Sequence, residues 1–293
     1  MDWSIIEYIS FAIVFQAITI GGIYALGSTS LTMVWGSVNF PNLALGAFFT
    51  LGAYSLLELT TYWHVNYFEA LGLTLIIFLP AYLALDRGLF YRFYKQVDPA
   101  ITLLLISIGM LIFSNGFYDV YLSYNPQIVE TPFSRVNFNV GNYTINEALI
   151  IALVLEYAVV GFVLYFMRYT RYGRVLRAMV QDKETVALMG VDSVKLSRFA
   201  NIISLLIATA GGTMYALTYS FDPTLASTIA IAITVIALVG GIGSVFGTVI
   251  VSLLFGLIGA LASFLVNPVF SIYIYYGILF VILFLRPQGL FRR

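Results

Sequence analysis

Long apolar stretches separated by short polar segments dominate this sequence. Several run for about 16–22 residues, close to the roughly 20 that a helix needs to cross the hydrocarbon core of a bilayer. Only helices and closed barrels satisfy their backbone there, and continuous apolar runs lack the alternation of a barrel strand. The pattern therefore predicts an all-α polytopic membrane protein. We place about nine transmembrane helices at residues 7–28, 42–60, 69–86, 100–119, 147–167, 199–219, 225–241, 246–266 and 270–285.

Composition supports this class and excludes others. Of the 293 residues, 61% are apolar and 10% are charged, and the mean hydropathy of +0.95 lies beyond that of soluble domains. The net charge is zero, so nothing indicates a nucleic-acid partner. The absence of cysteine excludes disulfides, thiolate metal sites and thiol catalysis. No P-loop, metal-ligand spacing or nucleophile turn occurs, so we expect a chain that is not an enzyme and holds no ATP, metal or cofactor.

Basic residues predict the orientation of the chain. Three Lys and Arg residues lie within 87–95, seven within 168–198 and three within 286–293, which leaves only Arg135. Basic segments stay on the cytoplasmic side, so nine spans put the N-terminus outside and the C-terminus inside. An even number of spans would place one basic segment on the outer side of the membrane, unless Trp35–Phe40 makes an extra partial crossing. The first apolar run lacks the basic region and cleavage site of a signal peptide, and we expect it to be a retained span.

The basic segment 168–198 has the pattern of short amphipathic helices. Arg174, Arg177 and Gln181 fall at i, i+3 and i+7, which is one face of a helix. The opposite face is apolar and consists of Val175, Leu176, Met179 and Val180. Gly190 stands where a helix C-cap would lie, and Asp192 can cap the next helix.

Two interpretations of these surface helices stay open. They could attach to lipid headgroups, or they could dock in a cleft of a cytoplasmic protein. Asp182, Glu184 and Asp192 favour docking, because a helix that binds only lipid would be more uniformly basic.

Several motifs resemble those of one transporter family. The segment Glu184–Gly190, with the glutamate and glycine six apart, resembles the "EAA" coupling loop of bacterial and archaeal ABC importers. The preceding segment Arg168–Ala178 resembles that of the high-affinity branched-chain amino acid permeases, LivH-like. Five further segments resemble motifs of that family in the same order along the chain: Tyr24–Leu26, Thr32–Gly36, Val38–Phe40, Leu238–Gly247 and Arg286–Phe291.

The resemblance implies the membrane-spanning permease subunit of an ABC importer in a prokaryotic cell membrane. Its implied partners are two cytoplasmic ATPase subunits that hold ATP and Mg²⁺, a LivM-like permease chain or a second copy, and an extracytoplasmic substrate-binding protein. The resemblance also implies a small apolar amino acid as substrate and alternating access as mechanism. The residues expected to couple to the ATPases are Arg174, Arg177, Gln181, Asp182, Glu184 and Gly190.

Two departures from the family pattern leave alternatives open. Thr185 and Val186 replace the two alanines of the coupling loop, and Pro41–Leu43 replaces the usual Ala-His-Gly. The second lies near the implied permeation path and puts the substrate in doubt, so urea or short amides stay possible. A secondary transporter or channel that works without ATPases is a further alternative.

The break at Asn39–Asn42 is the candidate substrate site. Pro41 removes a backbone donor and disfavours helix at Phe40, and opened backbone in a membrane is tolerated only where it lines protein or a water-filled cavity. A helix beginning near Asn42 would aim free N–H groups at a substrate carboxylate. An ordinary turn between two spans is the alternative. The complete set of candidate path residues is Tyr24, Asn39, Phe40, Asn42, Gly240, Gly241 and Gly243.

The glycines of the set also suit tight helix packing. Asn39–Pro41 and Phe221–Pro223 each precede a helix rich in small residues, which is the pattern of a possible inverted repeat of spans 1–4 and spans 6–9. Glu156, in the middle of the fifth span, should face the interior, be protonated or touch water.

The external loop 120–146 could hold a strand pair or a surface helix.

Overall fold

The computed structural model describes residues 3–94, 99–122, 125–140, 143–265, 268–286 and 289–291. This part of the chain is helical except for one short hairpin and the connecting loops. The α-helices are α1 Trp3–Val38, α2 Ala44–Leu57, α3 Tyr67–Leu85, α4 Pro99–Tyr121, α5 Glu147–Tyr169, α6 Arg171–Gln181, α7 Lys183–Leu188, α8 Ser193–Thr218, α9 Leu225–Gly240, α10 Val245–Leu265 and α11 Pro268–Leu285. π-helical turns extend α2 over Glu58–Tyr62 and α3 over Asp86–Phe90.

Several of these helices have the length and composition of membrane spans. Among the described residues, six helices are long and apolar enough to cross a bilayer, and α9 is a shorter apolar helix. The six are Ile13–Val38, Tyr67–Phe90, Pro99–Tyr121, Glu147–Tyr169, Ser193–Thr218 and Val245–Leu265. The protein is thus an all-α polytopic membrane protein, as expected.

Helix α1 is longer than the predicted span 7–28 and is continuous through Trp35 to Val38. The predicted span ends at residue 28, where the polar run Ser28–Thr32 begins. In the structure these hydroxyls bond the carbonyls of their own helix, as Thr32 Oγ1 does to the Ser28 oxygen at 2.7 Å. Such bonding removes the cost of burying hydroxyls in a helix. The 36 residues of α1 extend over about 54 Å at 1.5 Å per residue.

Helix α8 begins at Ser193, before the predicted span 199–219 and directly after Asp192, the residue predicted to cap the next helix. Asp192 Oδ1 accepts the Lys195 amide at 3.0 Å, which caps the helix at its start. Its first turns therefore belong to the polar segment 168–198, and the helix continues from there into the bundle.

The helix ends collect at two ends of the bundle, which we name the α6 end and the hairpin end. At the α6 end, a core cluster joins α6 and α7 to Met33, Met167, Leu196 and Val245, near the ends of α1, α5, α8 and α10. The Arg198–Asp86 ion pair, 2.6 Å long, ties α8 to the end of α3. The hairpin end carries the loop between α4 and α5.

That loop holds a short strand pair, which settles what the sequence left open. Strand β1 (Asn137–Val140) pairs antiparallel with β2 (Tyr143–Asn146). A 3-10 turn at Pro132–Arg135 precedes the hairpin. A bridge between Gln127 and Phe221 fixes the loop to the segment between α8 and α9.

Close contacts hold α1 against α10 and α2 against α8. Ser28 and Thr32 bond Ser252 and Thr248 at 2.9 and 3.0 Å. Between α2 and α8, Gly212 faces the backbone of Phe49, and a Cβ at Gly212 would lie 1.7 Å from the Phe49 carbonyl oxygen. Glycines of this kind let two backbones approach, as in many membrane helix pairs.

We expect Gly212→Ala to destabilise the protein by about 1–3 kcal/mol, because the added methyl group forces the two backbones apart. The thermal midpoint in detergent should fall by several degrees. Gly116→Ala in α4 is the matched control, because a Cβ there would meet nothing within 4 Å. Equal midpoints for the two variants would contradict the packing argument.

Candidate functional site

Helix α6 is amphipathic and caps the end of the bundle. Thr170 Oγ1 accepts the Gly173 amide at 3.0 Å and starts the helix. Its buried face contains Gly173, Leu176 and Met179, which pack on the ends of α1, α5, α8 and α10. The apolar face is therefore covered by the protein's own helices and is not available to lipid.

Val180 connects α6 to two distant glycines. A Cβ at Gly36 would lie 2.7 Å from Val180 Cγ2 and 3.0 Å from Gly243 Cα. A Cβ at Gly243 would lie 2.4 Å from Val180 Cγ1. The side chain thus sits in a notch formed by the end of α1 and the turn between α9 and α10, which we call the glycine notch (Gly36 and Gly243). Val180 therefore joins α6 to both of these elements.

Helix α7 is short and capped at both ends. Asp182 Oδ1 accepts the Thr185 amide at 2.9 Å, and Oδ2 accepts the Thr185 hydroxyl at 2.5 Å. These bonds lower the pKa of the Asp182 carboxyl below its usual value of 3.8. The cap is thus charged at neutral pH, and its contribution is lost only as the pH falls through that lowered pKa. Gly190, at φ +84°, ends the helix in the left-handed conformation expected of a C-cap.

The predicted coupling residues all lie exposed on this one surface: Arg174, Arg177, Gln181, Asp182, Glu184 and Gly190. Between them the structure exposes two apolar side chains that the sequence argument missed. Leu188 is 88% exposed and Met189 is 75% exposed. We call this pair the apolar tip. The sequence signal that could have predicted this exposure is the position of the pair directly before a glycine that ends a short helix.

The turn between α9 and α10 is built on glycines with positive φ. Gly241 and Gly243 have φ values of +94° and +84°, which side chains rarely adopt. Gly240 packs on α10, where a Cβ would lie 2.7 Å from Thr248 Cα. The C-terminal segment covers the turn, and the Leu290 amide donates to the Val239 oxygen at 2.8 Å. The turn is therefore held between α6 and the C-terminus.

The break between α1 and α2 lies near the same end. Asn39 ends α1 with φ +64° and is exposed. Phe40 is 1% exposed and stacks on Phe90, with ring centroids 6.5 Å apart. Asn42 is fully buried, and its Nδ2 donates to Asn201 Oδ1 of α8 at 2.9 Å. Phe40 therefore packs in the core, and Asn42 joins two helices.

The first amides of α2 are not free, contrary to the expectation for a carboxylate site. The Leu43 amide donates to Ser107 Oγ at 3.3 Å, and the Ala44 amide donates to Asn42 Oδ1 at 3.2 Å. The next two amides donate to the Asn42 and Leu43 carbonyls. A substrate could reach these amides only by displacing those partners. Asn201 Nδ2 is the buried donor here that lacks a partner among the described residues.

Comparison with known proteins decides the family. A model of the family described as "Branched-chain amino acid transport system / permease component" matches residues 13–285. The chain belongs to this permease family.

Individual relatives agree. The chain is 26% identical to the high-affinity branched-chain amino acid transport system permease protein LivH of Salmonella typhimurium and of Escherichia coli, over 95% of this chain and 94% of each relative. It is 24% identical to the permease protein BraD of Pseudomonas aeruginosa, with the same coverage. No solved structure matches the chain.

The candidate path residues of this permease do not form one site. Asn39, Gly241 and Gly243 belong to the α6 end, together with the packed residues Phe40, Asn42 and Gly240. Tyr24 lies earlier in α1, partly buried, and packs against the same core cluster as Tyr215 and Tyr219. Within the described chain, no three acidic or histidine side chains group closely enough to hold a metal ion.

Proposed function

We propose that this permease is the transmembrane subunit of an ABC importer for branched-chain or other small apolar amino acids. Its implied assembly contains two ATPase subunits, a second permease chain of LivM type or a second copy, and an extracytoplasmic binding protein. The observation that carries the proposal is the α6–α7 pair. It seats its apolar face on the ends of four helices and exposes charged residues and an apolar tip.

That arrangement suits the transmission of force. Val180 fills the glycine notch between α1 and the α9–α10 turn, so a partner that moves α6–α7 moves both helices. Packed interfaces switch between discrete arrangements rather than deform continuously. ATP binding and hydrolysis in the partners would then drive alternating access of the bundle.

We further propose nine crossings, with the α6 end in the cytoplasm. The ends of α1, α3 and α5 and the starts of α8 and α10 all contact groups at the α6 end. The exposed basic residues Arg87, Arg174 and Arg177 also lie at this end, as the preference of basic residues for the cytoplasm requires.

Two features favour the inverted repeat of α1–α4 and α8–α11. In this repeat α1 corresponds to α8, and α3 corresponds to α10. The contact between α1 and α10 should then have a counterpart between α8 and α3, and both contacts are present. The short helices α2 and α9 also start alike. Asn42 Oδ1 accepts the Ala44 amide, and Asp222 Oδ1 accepts the Thr224 amide at 2.8 Å.

The test separates an importer from an ATPase-independent carrier. The permease alone in liposomes should take up no leucine under an ion gradient, whereas the assembly with ATPases and binding protein should do so with ATP. Arg177→Glu and Gly190→Pro should each prevent co-purification of an ATPase subunit while the permease still inserts, because the first reverses a surface charge and the second breaks the C-cap. Robust uptake by the permease alone would refute the proposal.

A further inference from the structure

Glu156 is a buried carboxyl that the proposed coupling mechanism does not use. It lies in the middle of α5 at 0% exposure, and neither of its oxygens has a hydrogen-bond partner among the described residues. Gly22 of α1 makes room for it, since a Cβ at Gly22 would lie 2.4 Å from Glu156 Oε2. The carboxyl therefore occupies a gap that only glycine leaves in the facing helix.

The helices around this carboxyl supply no positive charge. Helices α1, α3 and α10 contain no Lys or Arg, and the basic residues of α5 and α8 are Arg168, Lys195 and Arg198, all at the α6 end. A carboxyl in a membrane interior that lacks a partner is costly, and such groups usually mark a ligand or ion pathway. A cation that pairs with the ionised carboxylate would therefore come from outside this chain.

Tyrosines pack near the turn of α5 that carries Glu156, since Tyr67 and Tyr219 belong to or pack against the same core cluster as Ala152 and Leu155. Tyr67, the first residue of α3, is buried and its hydroxyl also lacks a partner among the described residues. Tyr219 and Tyr215 of α8 have ring centroids 5.3 Å apart, and both are half-buried, as is Tyr24 of α1. The partly exposed rings of Tyr24, Tyr215 and Tyr219 thus pack against this same cluster.

A carboxylate, a free hydroxyl and aromatic faces together suit an ammonium group. The carboxylate accepts charge-assisted hydrogen bonds from N–H donors, the hydroxyl can accept another, and tyrosine rings attract cations to their faces. We propose that Glu156 and Tyr67 bind the ammonium group of an amino-acid substrate during its passage through the permease. The inference rests on the proposed function, and it identifies a group of the substrate that this chain recognises.

The experiment uses the assembled permease–ATPase complex in nanodiscs, without the binding protein. Saturation-transfer NMR compares isopentylamine, which carries only the ammonium group of leucine, with 4-methylpentanoate, which carries only its carboxylate. The amine should show binding, and Glu156→Gln should weaken that binding about tenfold or more, because a neutral amide lacks the charge-assisted bonds. Tyr67→Phe should weaken it less, and the control Glu58→Gln, an exposed carboxyl, should not change it.

The outcomes separate this inference from its alternatives. Unchanged amine binding in both Glu156→Gln and Tyr67→Phe would overturn it, and Tyr67→Phe carries the test if the first variant fails to assemble. A wild-type complex that requires sodium ions for leucine uptake, with a Glu156→Gln variant that does not, would also overturn it in favour of an inorganic cation site. Failure of the wild-type assembly to import leucine would refute the proposed function instead. The amine-binding measurement would still test the Glu156 site independently.

Discussion

Replacing Gly36 with alanine is expected to leave the ATPase subunits bound and still to lower the leucine transported per ATP about tenfold. The added methyl group would lie 2.7 Å from Val180 Cγ2 and 3.0 Å from Gly243 Cα. Overpacking of this kind costs about 1–3 kcal/mol, and here the cost falls on the contact between α6 and α1. The measurement is ATP-driven uptake and ATP hydrolysis in the same proteoliposomes.

A second substitution makes the prediction specific. Val180→Ala removes both methyl groups of the side chain in the notch, so the double variant should regain most of the coupling, as interacting sites do in a double-mutant cycle. Gly161→Ala in α5 is the control, because a Cβ there meets nothing within 4 Å. Normal coupling in Gly36→Ala would show that the glycine notch does not transmit movement.

Most of the helical architecture could be predicted from the sequence, since apolar runs of sufficient length have few alternatives in a membrane. The predicted ranges agree with the helices to within a few residues, except at the end of α1 and the start of α8. Both exceptions involve polar residues, at Ser28–Thr32 and Ser193–Arg198. Polar residues end apolar runs but not helices, because hydroxyls bond their own helix and Asp192 caps α8.

The exposed surface of the candidate site was also predictable from the sequence, whereas the packing contacts beneath it were not. Helical spacing placed Arg174 and Arg177 on the exposed face, and Gly190 adopts the expected C-cap conformation. The notch joins Gly36, Val180 and Gly243, which are far apart in sequence, and no local pattern connects them.

The same limit applies to the break between α1 and α2. The pairing of Asn42 with Asn201 spans 159 residues. It joins α2 to α8 at the position where the sequence predicts a substrate site.

Replacing both residues of the apolar tip is expected to weaken ATPase binding more than any single charge substitution on the same surface. Leu188 and Met189 are 88% and 75% exposed, and burying each in a partner would contribute about 1.5–3 kcal/mol. The double variant Leu188→Asp, Met189→Asp loses both contributions and adds charges that a cleft must desolvate. The dissociation constant should therefore rise about a hundredfold or more, as measured by co-purification and by titration of a labelled ATPase subunit.

The control for this prediction lies on the same helix. Thr185→Ala removes the hydroxyl bond to Asp182 Oδ2, keeps the amide bond to Oδ1 and leaves the apolar tip intact, so it should weaken binding only modestly. The comparison distinguishes loss of contact from loss of the helix. If the double variant still binds the ATPase with wild-type affinity, the prediction is wrong. The ATPase then binds the charged face of α6, through Arg174 and Arg177, rather than the apolar tip. If both variants fail equally, the fold of α7 is what the partner recognises.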